Sequence, residues 1–178
     1  LNGYELPETA VLAGERYPIR TDFRLILRLL QYMERQDLPL PLRWQVALQT
    51  FYERPVPPEA EGEAMEYLAN FLSGGRQPER SGPKLLDWQW DAPAIISGVN
   101  RAAGTEVRSL PSLHWWTFLS FFHGIGEGQL SLLVGIREKL RKGQKLLPHE
   151  QEFYRHNRDW VQMTRPDPEK QRLQKLLQ

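Results

Sequence analysis

Cysteine is absent from the 178 residues, which excludes disulfides, thiolate zinc sites and cysteine nucleophiles together. Charge of a dominant sign is missing too. Lys and Arg number 23 against 22 Asp and Glu, a net +1, so no global field argues for nucleic acid or an anionic membrane surface. The longest apolar stretches, Leu113 to Phe122 and Leu130 to Ile136, fall well short of the roughly 20 residues a membrane helix needs. Leu1 to Ala10 carries Glu5 and Glu8 and lacks the basic start and apolar run of a signal peptide, so the expected location is cytoplasmic. What the chain does have is aromatic mass: six Trp, seven Phe and six Tyr in a composition that is 40% hydrophobic. That is ample apolar material to offset chain entropy without covalent staples. One compact soluble domain or two small ones is the expectation.

Hydrophobic spacing predicts a mainly α fold, a small helical bundle or bundles with a short N-terminal β-hairpin. Val11-Leu12 and Tyr17 to Ile19 flank Ala13-Gly14-Glu15 and read as the hairpin. Thr21-Asp22 offers N-cap chemistry to a helix over 23–36, with Phe23, Ile26, Leu27 and Leu30 on one face. Further helices are expected over 41–52 with a Trp44, Leu48, Phe51 stripe, and over 59–73 with Met65, Leu68, Ala69 and Leu72 in register, ending at Gly74-Gly75. Residues 74–84, rich in Gly, Pro, Arg and Ser without a hydrophobic period, read as a flexible linker or loop. The division is therefore a hairpin and helical cluster over 1–73, that linker, an aromatic-rich helical cluster over 85–165, and a charged tail or docking helix over 166–178. Within 85–165 the helices run from Asp91 or Ala92 to Ala103 (Ile95, Val99, Ala102 aligned), from Pro111 to Phe122, from Gln129 to Arg141 and from Pro148 to Met163.

Catalytic constellations fail one by one. His149-Glu150-Gln151-Glu152-Phe153 has Phe where a zinc-protease helix needs its second histidine, and His156 is seven residues away. Asp87 and Asp91 suggest a carboxylate pair, but an N-capping role for Asp91 with Asp87 on the preceding loop is the simpler reading. Gly124, Gly126 and Gly128 lack phosphate-loop spacing and a following Lys-Ser/Thr. The expectation is a non-enzymatic protein with no cofactor and no metal.

The most distinctive string is Leu113-His114-Trp115-Trp116-Thr117-Phe118, followed by Phe121, Phe122, Gly124 and Gly135-Ile136-Arg137. Upstream stand Asp22-Phe23-Arg24 and Asp87-Trp88 with Asp91-Ala92 before Ile95-Ile96. In this order, across 22–137, the strings resemble the bacteriophage gene-product-fifteen family, tail-assembly proteins of long-tailed phages mainly of Gram-positive hosts. One departure is local: 102–107 reads Ala-Ala-Gly-Thr-Glu-Val where an aromatic-Gly-Ile-Asp type string is expected. The resemblance implies a tail-assembly chaperone in the host cytoplasm, absent from the mature virion. Its partners would be the tape-measure protein and the major tail-tube protein, with self-association into a homo-oligomer left open.

Trp115, Trp116, Phe118, Phe122 and Arg137 are the candidate partner-binding residues. Two readings of the aromatic helix stand side by side: a central helix buried on all sides, or one with a face open to a partner helix. The basic run from Arg137 to Lys145 reads as a solvated helix end matched to the helix dipole, with contact to acidic segments of a partner as the alternative. A virion component such as a tail-completion or connector protein is the competing function. A DNA-binding regulator ranks third, and neither nucleic acid nor membrane is an expected partner.

Overall fold

In the computed structural model, which describes residues 4–76 and 84–164, the chain opens with strands β1 (Thr9–Leu12) and β2 (Glu15–Pro18), paired antiparallel with Leu12 opposite Glu15. The two-residue connection has φ +48° at Ala13 and +83° at Gly14. That double left-handed turn matches the natural twist of a hairpin. Helices α1 (Phe23–Met33), α2 (Leu40–Phe51) and α3 (Glu61–Leu72) follow. Next come α4 (Ala92–Ala103), α5 (Trp115–His123), α6 (Gln129–Arg141), α7 (Pro148–His156) and the short α8 (Arg158–Val161). Single 3-10 turns at Pro58–Ala60 and Val107–Ser109 precede α3 and α5. The mainly α fold with an N-terminal hairpin is the one the hydrophobic spacing predicts.

Contacts divide the chain into two units, neither of them a continuous stretch: Leu1–Pro83 with Val99–Ile125, and Lys84–Gly98 with Gly126–Gln178. This differs from the sequential division expected at 74–84. The aromatic segment, assigned by sequence to a cluster over 85–165, joins the N-terminal elements because its indoles and rings find their partners on α1 and α3. Of the expected linker, 77–83 lies outside the described residues, as does the expected tail over 166–178.

In the first unit, α1 begins where Asp22 Oδ1 accepts the Arg24 N–H at 3.0 Å, one of the donors a helix start leaves open. The helix ends at Met33, three residues short of expectation, and Arg43 Nη1 donates to the Met33 carbonyl at 2.8 Å. On α3 the buried stripe is Ala64, Leu68 and Phe71 rather than Met65, Leu68, Ala69 and Leu72. Phe71 carries the larger apolar surface and rotates the helix so that its ring meets Phe51 at 5.0 Å. Gly74 at φ +69° ends α3, with Gly75 N–H reaching back to the Asn70 carbonyl at 3.0 Å. A Cβ at Gly74 would lie 3.1 Å from Leu119 Cδ1, so the turn also permits the close approach of α5.

In the second unit, α6, α7 and α8 pack around Leu133, Ile136 and Val161, with Leu132, Leu146, Phe153, Tyr154 and Trp160 around them. The expected single helix over 148–163 breaks at Asn157, whose φ of −128° lies outside the helical range. On α4, whose residues belong to the second unit up to Gly98 and to the first from Val99, Ala94, Ile95 and Val99 are buried, while Ala102, expected on the same stripe, is exposed.

Candidate functional site: the aromatic helix and the Arg137 network

The strings that set this sequence apart occupy two places, one in each unit. In the first unit, Asp22-Phe23-Arg24 and Leu113-His114-Trp115 bind each other through an isolated antiparallel bridge between Asp22 and His114. Phe23 N–H donates to the Leu113 carbonyl at 2.9 Å and Trp115 N–H to the Thr21 carbonyl at 2.7 Å. Asp22 Oδ2 accepts the Leu113 N–H at 3.1 Å, and Arg24 clasps the Asp22 carboxylate while donating to the carbonyls of Leu110 and Pro111. Burial alone would raise the Asp22 carboxyl, but Arg24 and the two amides outweigh it and hold it below the ordinary carboxylate value.

His114 is the N-cap of α5. Its Nδ1 accepts the Trp116 N–H at 3.0 Å, which fixes the proton on Nε2, 3.0 Å from the Pro7 carbonyl that accepts it. Burial lowers its pKa, against smaller raising contributions from Pro7 and Glu8. The double Trp then closes the far end of α3. Trp115 Nε1 donates to the Leu72 carbonyl at 3.1 Å and Trp116 Nε1 to the Phe71 carbonyl at 2.9 Å. These are two of the carbonyls that a helix end leaves without intrahelical donors. Phe118 stacks on Phe23 at 4.6 Å and on Trp115 at 5.6 Å.

Trp115, Trp116 and Phe118 are thus core residues, 1%, 7% and 0% exposed, and Phe122 is half-buried. Buried rings offer a partner no surface in this conformation, yet α5 is not buried on all sides, since Ser120 and His123 are exposed. What α5 presents outward is polar: Thr117, Ser120 and His123 border a cleft of about 600 Å³ beside Gly74 and Arg76. Burial and the Arg76 charge lower the His123 pKa.

In the second unit, Arg137 lies on the same stripe as Leu130 and Leu133 and is 5% exposed. All five of its N–H groups are used. Nη1 and Nη2 donate to Asp91 Oδ2 and Oδ1 at 2.6 and 2.9 Å. Nε donates to the Val161 carbonyl, Nη1 also to Leu85, and Nη2 also to Trp160. Asp91, 0% exposed, accepts in addition from Trp160 Nε1 at 3.0 Å and from Asp87 N–H at 2.9 Å.

Asp91 stands at the expected position directly before α4, and its carbonyl accepts the Ile95 N–H at 3.0 Å, but its carboxylate is engaged by Arg137, Trp160 and the Asp87 N–H. The local capping falls to Asp87, whose Oδ1 accepts from Gln89 and Trp90 N–H while Oδ2 takes Lys84. Desolvation works to raise the Asp87 carboxyl, yet these donors bring it down to about 2. The network went unseen in the sequence although one signal was present: an arginine on an apolar helical stripe requires a buried anion.

The segment that departs from the expected string has its own solution. Asn100 Oδ1 accepts the Val107 N–H at 2.9 Å, its Nδ2 donates to Glu106 at 2.8 Å, and Glu106 in turn caps the following turn through Arg108 N–H. Among the described residues, no group of three or more His, Asp or Glu converges as metal ligands.

A family model, described as Bacteriophage Gp15 protein, matches the chain over residues 4–163. No curated protein and no solved structure matches it.

Proposed function

Because this chain belongs to the bacteriophage Gp15 family, a family of phage structural and assembly proteins, we propose that it is a non-enzymatic tail-assembly chaperone. Its client is the tape-measure protein, with tail-tube subunits as a second partner. It acts in the cytoplasm of the host, on our reading a Gram-positive bacterium, and leaves before the virion is complete. The observation that carries this reading is the family match across most of the chain. The division of labour in the fold supports it: the distinctive residues build the scaffold, while large apolar side chains stand outside. Val11 on the hairpin, Leu40 and Leu42 at the start of α2, and Leu140 and Leu147 at the α6–α7 turn are 38–60% exposed. Such groups dock apolar helix surface without demanding one sequence, which suits transient sheltering and release.

Co-expression with the tape-measure protein of the same gene cluster, followed by size-exclusion chromatography with mass determination, tests this. Co-elution, with an otherwise insoluble tape measure held in solution, is expected. Failure to associate together with unchanged solubility refutes the client. Mass spectrometry of purified virions separates the competing reading: a tail-completion or connector protein persists in the particle, and a chaperone is absent from it.

A further inference from the structure

We propose that the α6–α7 turn of the second unit is the docking surface for an acidic amphipathic helix. The inference rests on the chaperone reading and names the chemistry of the client segment. Between Glu138 and Glu150 the chain has no acidic residue and four basic ones. The fold neutralises some of them and leaves others. Lys139 is spent on Glu150, whose carboxylate it meets at 2.6 and 2.8 Å, and Arg137 is spent in the core on Asp91. Arg141 and Lys142 share one carboxylate, Glu138, at 2.8 and 2.7 Å. Lys145 forms no ion pair among the described residues. Uncancelled positive charge remains beside Leu140 and Leu147, which are 38% and 51% exposed.

Capping does not consume these cations. The last carbonyls of α6 already receive backbone donors, Lys142 N–H to Glu138, Gly143 N–H to Leu140 and Gln144 N–H to Lys139. The turn is also fixed before any partner arrives: Gly143 sits at φ +66°, Leu146 packs on the core, and Glu150 Oε2 holds the Leu147 N–H at 2.7 Å. A preformed surface avoids the ordering cost of binding. Leucine beside lysine matches a helix with an apolar stripe flanked by Glu or Asp. It suits a nucleic-acid backbone less well, because leucine adds nothing to phosphate contact.

The probe is a synthetic helical peptide of about 20 residues, with Leu at helical spacing and Glu on the flanks, titrated against the full chain. Its Lys-for-Glu counterpart and a short DNA duplex are titrated in parallel. The Glu peptide binds and weakens as salt rises, and the Lys peptide does not bind. Lys142→Glu with Lys145→Glu, and separately Leu147→Ser, weaken binding at least about tenfold, as loss of a central interface contact does. Circular dichroism shows these exposed substitutions leave the fold intact. Equal binding of both peptides, unchanged affinity in the variants, or tighter binding of DNA through the same residues overturns the surface. Repeating the tape-measure co-elution with the variants separates the two claims. A wild-type chain that never retains the tape measure fails the chaperone reading, while the peptide titration judges the surface by itself.

Discussion

Replacing Asp91 by Asn should unfold the second unit under conditions in which the first persists. The Asn keeps one acceptor oxygen but in either orientation places an N–H₂ against the Arg137 guanidinium, together with the Trp160 Nε1–H or the Asp87 N–H, all of them donors. Arg137 is then a charge buried at 5% exposure without a counter-charge. Breaking a buried pair from one side costs about 3–5 kcal/mol. A unit of this size holds roughly 3–10 kcal/mol in total, so the substitution removes a third of the stability or all of it. At roughly 4 to 8 °C per kcal/mol for a small unit, the second transition falls by at least about 12 °C.

Hydrogen exchange resolved by peptide is the assay, because it reads α6 to α8 and α1 to α3 separately. Protection should vanish in the former and persist in the latter. The double substitution Asp91→Leu with Arg137→Met should be more stable than either single one, since apolar replacement of a whole buried pair is often neutral or better. A loss of under about 1 kcal/mol in Asp91→Asn, or a double variant worse than the sum of its parts, refutes the view that the pair is a closed, mutually dependent unit.

Three other outcomes follow from the first unit. Trp116→Phe removes the indole N–H from the Phe71 carbonyl, which still accepts the Gly74 N–H at 3.0 Å, and should cost about 0.5–1.5 kcal/mol, the net contribution of one hydrogen bond, read by urea unfolding. Ala13→Asn should stabilise the hairpin by about 0.5 kcal/mol, seen as a raised melting temperature, because Asn tolerates the left-handed conformation that Ala13 holds at φ +48°. The folded-state pKa of His114 is lowered, so the unfolded chain binds the proton more readily. Its contribution is therefore present above the ordinary histidine value of about 6.5 and is lost as pH falls below it. Melting temperatures measured from pH 7.5 to 5 should fall more in the wild type than in His114→Asn, which caps α5 without titrating.

Local physics made most of the secondary structure legible in the sequence. The Ala13-Gly14 turn, the Asp22 cap, the α6 limits and the Gly104 stop depend on residues within a few positions of one another, and the sequence displays them directly. Helix faces were harder. On α3, both Met65-Leu68-Ala69-Leu72 and Ala64-Leu68-Phe71 satisfy helical spacing, and only the rings waiting on α2 and α5 select the second. Trp115, Trp116, Phe118 and Arg137 drew notice as unusual residues, and unusual residues suit a buried polar contact as well as a binding surface. The choice between those roles depends on partners far away in the chain. The carbonyls that need the two indole N–H groups lie more than forty positions upstream, and the carboxylate that needs the guanidinium lies 46 away. The sequence by itself determined most helix positions and the limits of α4 and α6, because hydrogen bonding along a helix is local, but it overran α1, started α5 too early and did not show the break at Asn157. Tertiary structure alone decided which charged and aromatic side chains are interior and that the chain divides into discontinuous units, because desolvation depends on neighbours that no sequence window contains.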